Sequence, residues 1–221
     1  KRIATPRPAV PKELDQVVAE YLIKQSLLGD LGYVREESTA RKLGLGRTTL
    51  RHTFSRLAGR GVLQHHPRKG WIVTPVNLQD LEEYIEIREA LEITALKRSF
   101  HLLKQDVLMS IRNGNVPGSS PRLDNSLHQY IVATSNNKYI ADFFERYGLF
   151  FSILMDHAAP ETQLVSEMAS QHNCIIESIL ANDLESAITH LRDHIRSQIP
   201  IVTKLMQPKH FEDSNSTHDT D

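Results

Sequence analysis

Four side chains in the second half of the sequence have the residue types and spacing of a metal site. Asp124 and His128 are four residues apart in a segment with helical periodicity, so they share one face of a helix. His172 and His194 lie 11 residues before and after position 183, the predicted turn between two helices, so antiparallel packing places them at equal height. Imidazole and carboxylate groups bind zinc and other divalent ions. Solvated or hydrogen-bonded core histidines are the alternative, and we interpret His101, His157 and His190 in that way.

A second candidate site begins at the glycine-containing turn of residues 43–46. A predicted helix over 47–59 follows this turn, which is the arrangement of a helix-turn-helix. Its first residues combine two guanidinium groups, which suit bidentate pairing with guanine, and two short hydroxyl groups, which suit phosphate. These residues are Arg47, Thr48, Thr49 and Arg51. A capped surface helix with solvated arginines is the alternative for these four residues taken alone.

Charge is divided unevenly along the chain, although the net charge of the 221 residues is only −1. Residues 1–75 contain 14 Lys and Arg against 6 Asp and Glu, whereas residues 76–221 contain 12 against 21. This asymmetry indicates a nucleic-acid-binding module joined to a second, different domain. The basic turn between two predicted strands adds candidate DNA contacts at His66, Arg68, Lys69 and Gly70.

The remaining composition favours a cytoplasmic protein without a membrane partner. The hydrophobic fraction of 40% is ordinary for a globular chain, and no segment reaches the roughly 18–20 apolar residues of a membrane span. Residues 1–10 lack the apolar region of a secretory signal. The single cysteine, Cys174, cannot form an internal disulfide, which is typical of a reducing cytosol.

Periodicity predicts a mainly α protein, with an N-terminal winged helix-turn-helix and a C-terminal, all-α antiparallel helical bundle. Strands are predicted over 62–65 and 71–73, and helices of the second half over 78–103, 104–113, 122–135, 138–157, 161–180 and 184–207. The predicted divisions are a flexible basic arm (1–11), the DNA-binding domain (12–75), a linker (76–79), the helical ligand-binding and dimerisation domain (80–207) and a disordered tail (208–221).

Three segments of the first half, 43–51, 57–63 and 68–73, resemble the winged helix of GntR-family repressors in sequence and order. The resemblance covers about residues 12–74 and implies binding to double-stranded operator DNA. Members often have an arginine that contacts DNA at the position of Glu37. The resemblance therefore leaves Arg35 or Arg41 to supply the substitute contact.

The second half resembles the ligand-binding domain of FadR-type GntR regulators. The resemblance rests on the order Asp124, His128, Asn137, His172 and His194, and on the Arg-x-x-Leu-Glu segment that begins at Arg88. It implies a divalent metal on the Asp and three His, with zinc favoured and nickel or manganese as alternatives. It further implies a small carboxylate effector, for which Arg88 and Asn137 are the candidate ligand-binding residues. The segment over 103–122 is shorter than in the family.

These patterns together predict a regulator, most simply a repressor, that acts as a homodimer and is not an enzyme. A metal-dependent hydrolase is the alternative, in which the ion would activate water. No carboxylate with an evident general-base role lies beside the ligands in sequence, and an enzyme does not need a basic winged helix. A third alternative is a DNA-binding protein whose helical half only dimerises.

Overall fold

The computed structural model describes residues 11–27, 32–75, 77–114, 125–158 and 162–206. Residues 1–10 of the arm predicted over 1–11, the predicted tail over 208–221 and the metal-ligand candidate Asp124 lie outside the described residues, and Pro11 begins the first helix.

The first part of the chain forms three helices followed by a two-stranded antiparallel sheet. The helices are α1 (Pro11–Leu27), α2 (Glu36–Leu43) and α3 (Arg47–Gly59), and the strands are β1 (Leu63–His66) and β2 (Gly70–Val73). Leu63 pairs with Val73 and His66 with Gly70. Side chains from the three helices and the sheet share one core, which includes Leu22, Leu50, Phe54 and Trp71. This is a winged helix-turn-helix.

Local sequence explains how α3 is separated from α2. Gly44 has a φ of 65°, a left-handed conformation that ends α2, and its N–H donates to the carbonyl of Arg41. Leu50 and Phe54 lie four residues apart on the buried face of α3, so its opposite face stays exposed. An ion pair of α1 with α3 adds to this packing, because Arg56 donates to buried Asp15 at 2.6 Å.

The second part of the described chain consists of helices. They are α4 (Leu78–Ser99), α5 (Gln105–Gly114), α6 (Ser126–Thr134), α7 (Lys138–Ala158), α8 (Thr162–Leu180), α9 (Leu184–Arg196) and α10 (Gln198–Met206). Helix α4 begins inside the stretch predicted as a linker, because Asn77 and Asp80 form a capping box. A short 3-10 turn, Phe100–Leu102, follows α4.

The predicted helix over 184–207 is interrupted near Ser197, where α9 ends and α10 begins. Pro200 has no N–H to donate to the carbonyl of Arg196, which a continuous helix would require. The uninterrupted helix was therefore wrong, and so was the single helix over 78–103. For the helix predicted over 184–207, Pro200 was the available signal.

Contacts join the two parts of the chain at the C-terminal end of α3. Arg146 on α7 donates from Nε to the carbonyl of Gly59 at 3.3 Å, and Arg60 donates to the carbonyl of Glu145 at 3.2 Å. The ring of Tyr147 lies against Gly61. Helix α7 also packs on α1. The C-terminal end of α3 is thus attached to α7 through backbone carbonyl groups on both sides.

Substitution of Gly70 tests the conformation of the wing. Gly70 has a φ of 111°, and a Cβ atom there would lie 2.7 Å from the carbonyl oxygen of Val34. Gly70→Ala should therefore cost more than the roughly 1–3 kcal/mol of backbone strain alone. Gly44→Ala, with a φ of 65° and open space, should cost about 1–2 kcal/mol, and Gly32→Ala should be nearly neutral. Urea unfolding measures the free energy of unfolding of each variant. An equal loss of stability in all three variants would contradict this account.

Candidate metal centre and nucleic-acid interface

Three histidines from three helices meet in the core of the helical part. His128 lies on α6, His172 on α8 and His194 on α9, and all three side chains are buried. Their Nε2 atoms are 3.1 Å apart for His128 and His172, 3.1 Å for His128 and His194, and 3.0 Å for His172 and His194. The three ring nitrogens therefore face one common point.

The hairpin of α8 and α9 places two of these rings at equal height. Asn182 adopts a left-handed φ of 58° at the turn. Asp183 then caps α9, accepting from the backbone N–H of Ser186 at 3.0 Å. The packed helices bring His172 and His194 into contact. Helix α6 supplies His128 from the side, where it packs on α4.

The donor set fits a divalent metal ion. Zinc–nitrogen bonds of about 2.0–2.1 Å separate the nitrogens of a tetrahedral site by roughly 3.3 Å, close to the separations of these Nε2 atoms. Three nitrogen lone pairs that converge repel one another unless a proton or a cation lies between them. Among the described residues, His128, His172 and His194 form a group with metal-ligand geometry.

The surroundings hold the two histidines of the hairpin in the neutral form that a metal requires. Burial, followed by the nearby His128, lowers the pKa of His172 to about 3. The same two causes, in the same order, lower the pKa of His194 well below its ordinary value. Both imidazoles are therefore uncharged at neutral pH, with nitrogen lone pairs available to an ion.

A buried ion pair lies against the outer side of this cluster. Glu92 on α4 is fully buried, and one of its oxygens accepts from Nδ1 of His128. Its other oxygen accepts from Nε of Arg88 at 2.6 Å. Nη1 of Arg88 donates to Oε1 of Gln198 on α10 at 2.6 Å. Burial alone would raise the pKa of Glu92, but His128 and Arg88 outweigh it and lower the pKa to about 2.

Two glutamines next to the cluster were not singled out from the sequence. Gln171 Oε1 lies 2.8 Å from Nδ1 of His194, and Gln198 Nε2 lies 3.3 Å from Nε2 of the same ring. Gln171 immediately precedes His172 in the sequence, but nothing in its own spacing marks it as a neighbour of His194. These contacts arise from the packing of α8, α9 and α10.

The candidate DNA-contacting residues occupy two exposed regions of the winged helix. Four of them begin α3, where Gly46 is the N-cap, and their side chains are exposed: Arg47, Thr48, Thr49 and Arg51. The hairpin of β1 and β2 carries four more, of which Arg68 and Lys69 are exposed, while His66 and Gly70 are partly buried. Both regions combine positive charge with open space, which a phosphate backbone requires.

The departure at Glu37 has a structural counterpart. Its carboxylate lies 3.7 Å from Arg41 and 4.0 Å from Arg47, and all three side chains are largely exposed. Arg35 is exposed at the N-cap of α2. Glu37 thus lies near the N-terminal end of α3, between two of the candidate DNA contacts.

Comparison with known proteins identifies the family. Residues 83–197, more than half of the chain, match the FCD domain family. A probable D-xylose utilization operon transcriptional repressor from Paenarthrobacter nicotinovorans is 24% identical over 176 residues, covering 76% of this chain and 77% of that protein. The uncharacterized HTH-type transcriptional regulator YdhC of Bacillus subtilis (strain 168) is 21% identical over 174 residues, covering 73% and 77%. The chain is a GntR-family transcription regulator with an FCD domain.

A solved structure shares the fold of this regulator. The structure of McbR/YncC from E. coli has a TM-score of 0.66 at 18% identity, covering 90% of this chain and 100% of that one. The predicted fold class, a winged helix-turn-helix followed by a helical FCD domain, is thus confirmed. The comparisons point to regulators and not to enzymes. In the described part of the chain, no helix is long and apolar enough to cross a membrane.

Two further residues predicted to bind an effector have other partners in the FCD domain. Arg88 is engaged by Glu92 and Gln198, as described above. Asn137 caps α7, since its Oδ1 accepts from the backbone N–H of Tyr139 at 3.1 Å and from that of Ile140 at 3.4 Å. A role of either residue in ligand binding stays a prediction.

The metal-free regulator should lose stability as the pH falls below about 6.5. The unfolded chain has ordinary histidine pKa values, so it takes up protons before the buried His172, whose pKa is about 3. The stabilisation is complete above about pH 6.5 and is lost at up to roughly 1.4 kcal/mol per pH unit for each of His172 and His194. Urea unfolding near pH 7.5 and 5.5 measures it. His172→Gln should make the free energy of unfolding less dependent on pH, whereas His101→Gln, at an exposed position, should not. An equal pH dependence in the parent and both variants would refute the lowered pKa of His172.

Proposed function

We propose that this regulator is a repressor that binds double-stranded operator DNA as a homodimer and responds to a small carboxylate effector in its FCD domain. The convergence of three Nε2 atoms on one point is the observation that supports ligand sensing there. The exposed, basic start of α3 supports operator binding. The relative from Paenarthrobacter, a probable repressor by its description, supports the direction of control.

The proposed sensor holds one divalent ion, zinc in the first place, on Asp124, His128, His172 and His194. Asp124 precedes α6 by two residues, and the three imidazoles are in place without it. Neutral imidazoles and one carboxylate leave a bound ion with a net charge of about +1, which attracts an anion. Since the charge of Arg88 is balanced by Glu92, the ion itself is the main electrostatic anchor for the effector carboxylate.

The two halves are coupled in this proposal through α7. Helix α7 packs on α10 and α4 in the FCD domain and contacts the end of α3 through Arg146. An effector that binds one arrangement of these helices better than another changes DNA affinity by that difference. A dimer adds a second recognition helix for the other half of a palindromic operator.

Binding of DNA should depend on the start of α3. Arg47→Ala and Arg51→Ala should each cost roughly 1–3 kcal/mol if the guanidinium contacts a base, and should relax specificity at that base. Lys69→Ala in the wing should weaken all sequences alike and reduce the salt dependence. The probe is a duplex that the parent protein selects from a random pool, with affinity measured by fluorescence anisotropy. Arg112→Ala on α5 is the control, and parental affinity of Arg47→Ala would exclude α3 as the reading helix.

Metal content should depend on the histidine cluster. The protein purified without chelator should carry close to one equivalent of divalent metal by elemental analysis. His172→Ala should carry almost none, and the exposed control His101→Ala should match the parent. Citrate-like acids should raise the melting temperature of the loaded protein more than uncharged analogues do. A parent that takes up none of zinc, nickel, manganese or cobalt would refute the metal site.

A further inference from the structure

The orientation of His128 is controlled from outside the cluster by a carboxylate. Nδ1 of His128 contacts Glu92, while Nε2 of the same ring faces His172 and His194. Glu92 is fully buried, so the contact is shielded from water. In the sequence, Glu92 was only the last residue of the Arg-x-x-Leu-Glu segment that begins at Arg88.

A neutral imidazole carries its single proton on one of its two nitrogens. An ionised carboxylate can only accept hydrogen bonds, so the oxygen that faces Nδ1 requires the proton to be there. Nε2 then keeps a lone pair, which is directed at the common point of the cluster. Arg88 fixes the carboxylate in turn, because its Nε donates to the other oxygen at 2.6 Å.

We propose that Glu92 is a positioning residue that fixes His128 in the tautomer with the proton on Nδ1, with Nε2 free to bind a metal ion. Arg88 acts through Glu92 by occupying its second oxygen. This inference rests on the proposed metal function. The cluster is asymmetric, since the corresponding nitrogen of His194 faces the neutral amide oxygen of Gln171.

The isosteric variant Glu92→Gln makes a sharp test, because an amide has one acceptor and one donor. Arg88 can only donate, so it should retain the amide oxygen and turn the NH2 group toward Nδ1 of His128. The NH2 group then donates to Nδ1, and the ring proton moves to Nε2, where it blocks a metal ion. Arg88→Met combined with Glu92→Gln removes this constraint, lets the amide turn over and should restore the first tautomer.

The experiment compares full-length, metal-free proteins by long-range 1H–15N NMR near pH 7.5 and then titrates each protein with Co2+. The parent should show His128 protonated on Nδ1, and Glu92→Gln should show it protonated on Nε2. Co2+ affinity should fall roughly 10–100-fold in Glu92→Gln and recover in the double variant. Glu89→Gln is the matched control, because Glu89 is on the same helix but pairs with Arg192 and Arg196.

If His128 of the parent protein carries its proton on Nε2, the inference is overturned. It is also overturned if Glu92→Gln has the same His128 tautomer and the same Co2+ affinity as the parent. An equal loss of affinity in Glu89→Gln would overturn it too, since that loss would reflect the helix and not the hydrogen bond. If the parent binds no Co2+, the proposed metal site fails. The NMR spectra of the metal-free proteins then still decide whether Glu92 sets the tautomer.

Discussion

The buried carboxylate of Glu92 sets the strictest condition on the helical half. An isolated carboxylate in an apolar interior costs far more free energy than a domain can supply, so its charge must be balanced on the spot. Arg88 balances the charge from the preceding turn of α4, His128 on α6 donates to the remaining oxygen, and Arg88 reaches Gln198 on α10. Three helices must therefore keep their mutual positions, because a shift of any one leaves a charged or polar group without its partner.

The histidine cluster and the exposed start of α3 place charge in opposite environments. In the core, three imidazoles are held at fixed separations by packing, and burial lowers the pKa of His172 and His194. On the winged helix, Arg47 and Arg51 are exposed, and the salt concentration sets the distance over which their charge acts. A rigid site suits the recognition of one small ligand, and a solvated surface suits the approach to a long polyanion.

Spacing along the chain predicted the structural features that depend on a single helix or on one pair of consecutive helices. The equal height of His172 and His194, each 11 residues from Asp183, follows from helical rise, and the exposed face of α3 follows from the spacing of Leu50 and Phe54. Burial of the Arg88–Glu92 pair could not be predicted in this way, because the same four-residue spacing is typical of solvated pairs. Its burial depends on α6 and α10, which are distant in sequence. The end of α9 was predictable in principle, since Pro200 interrupts the hydrogen-bond ladder.

The attachment of α3 to α7 has a mechanical consequence. Arg146 and Arg60 grip backbone carbonyls and not side chains, and Tyr147 lies on Gly61 where the chain leaves the helix. The C-terminal end of α3 is thus held by α7, while its N-terminal end, with Arg47, is exposed. When a rigid helix is held at one end, a small rotation there displaces its other end by a larger distance. Since the acceptors are backbone carbonyls, the side chains at positions 59 and 145 can vary without removing these two hydrogen bonds, and a small tilt of α7 would displace the N-terminal end of α3.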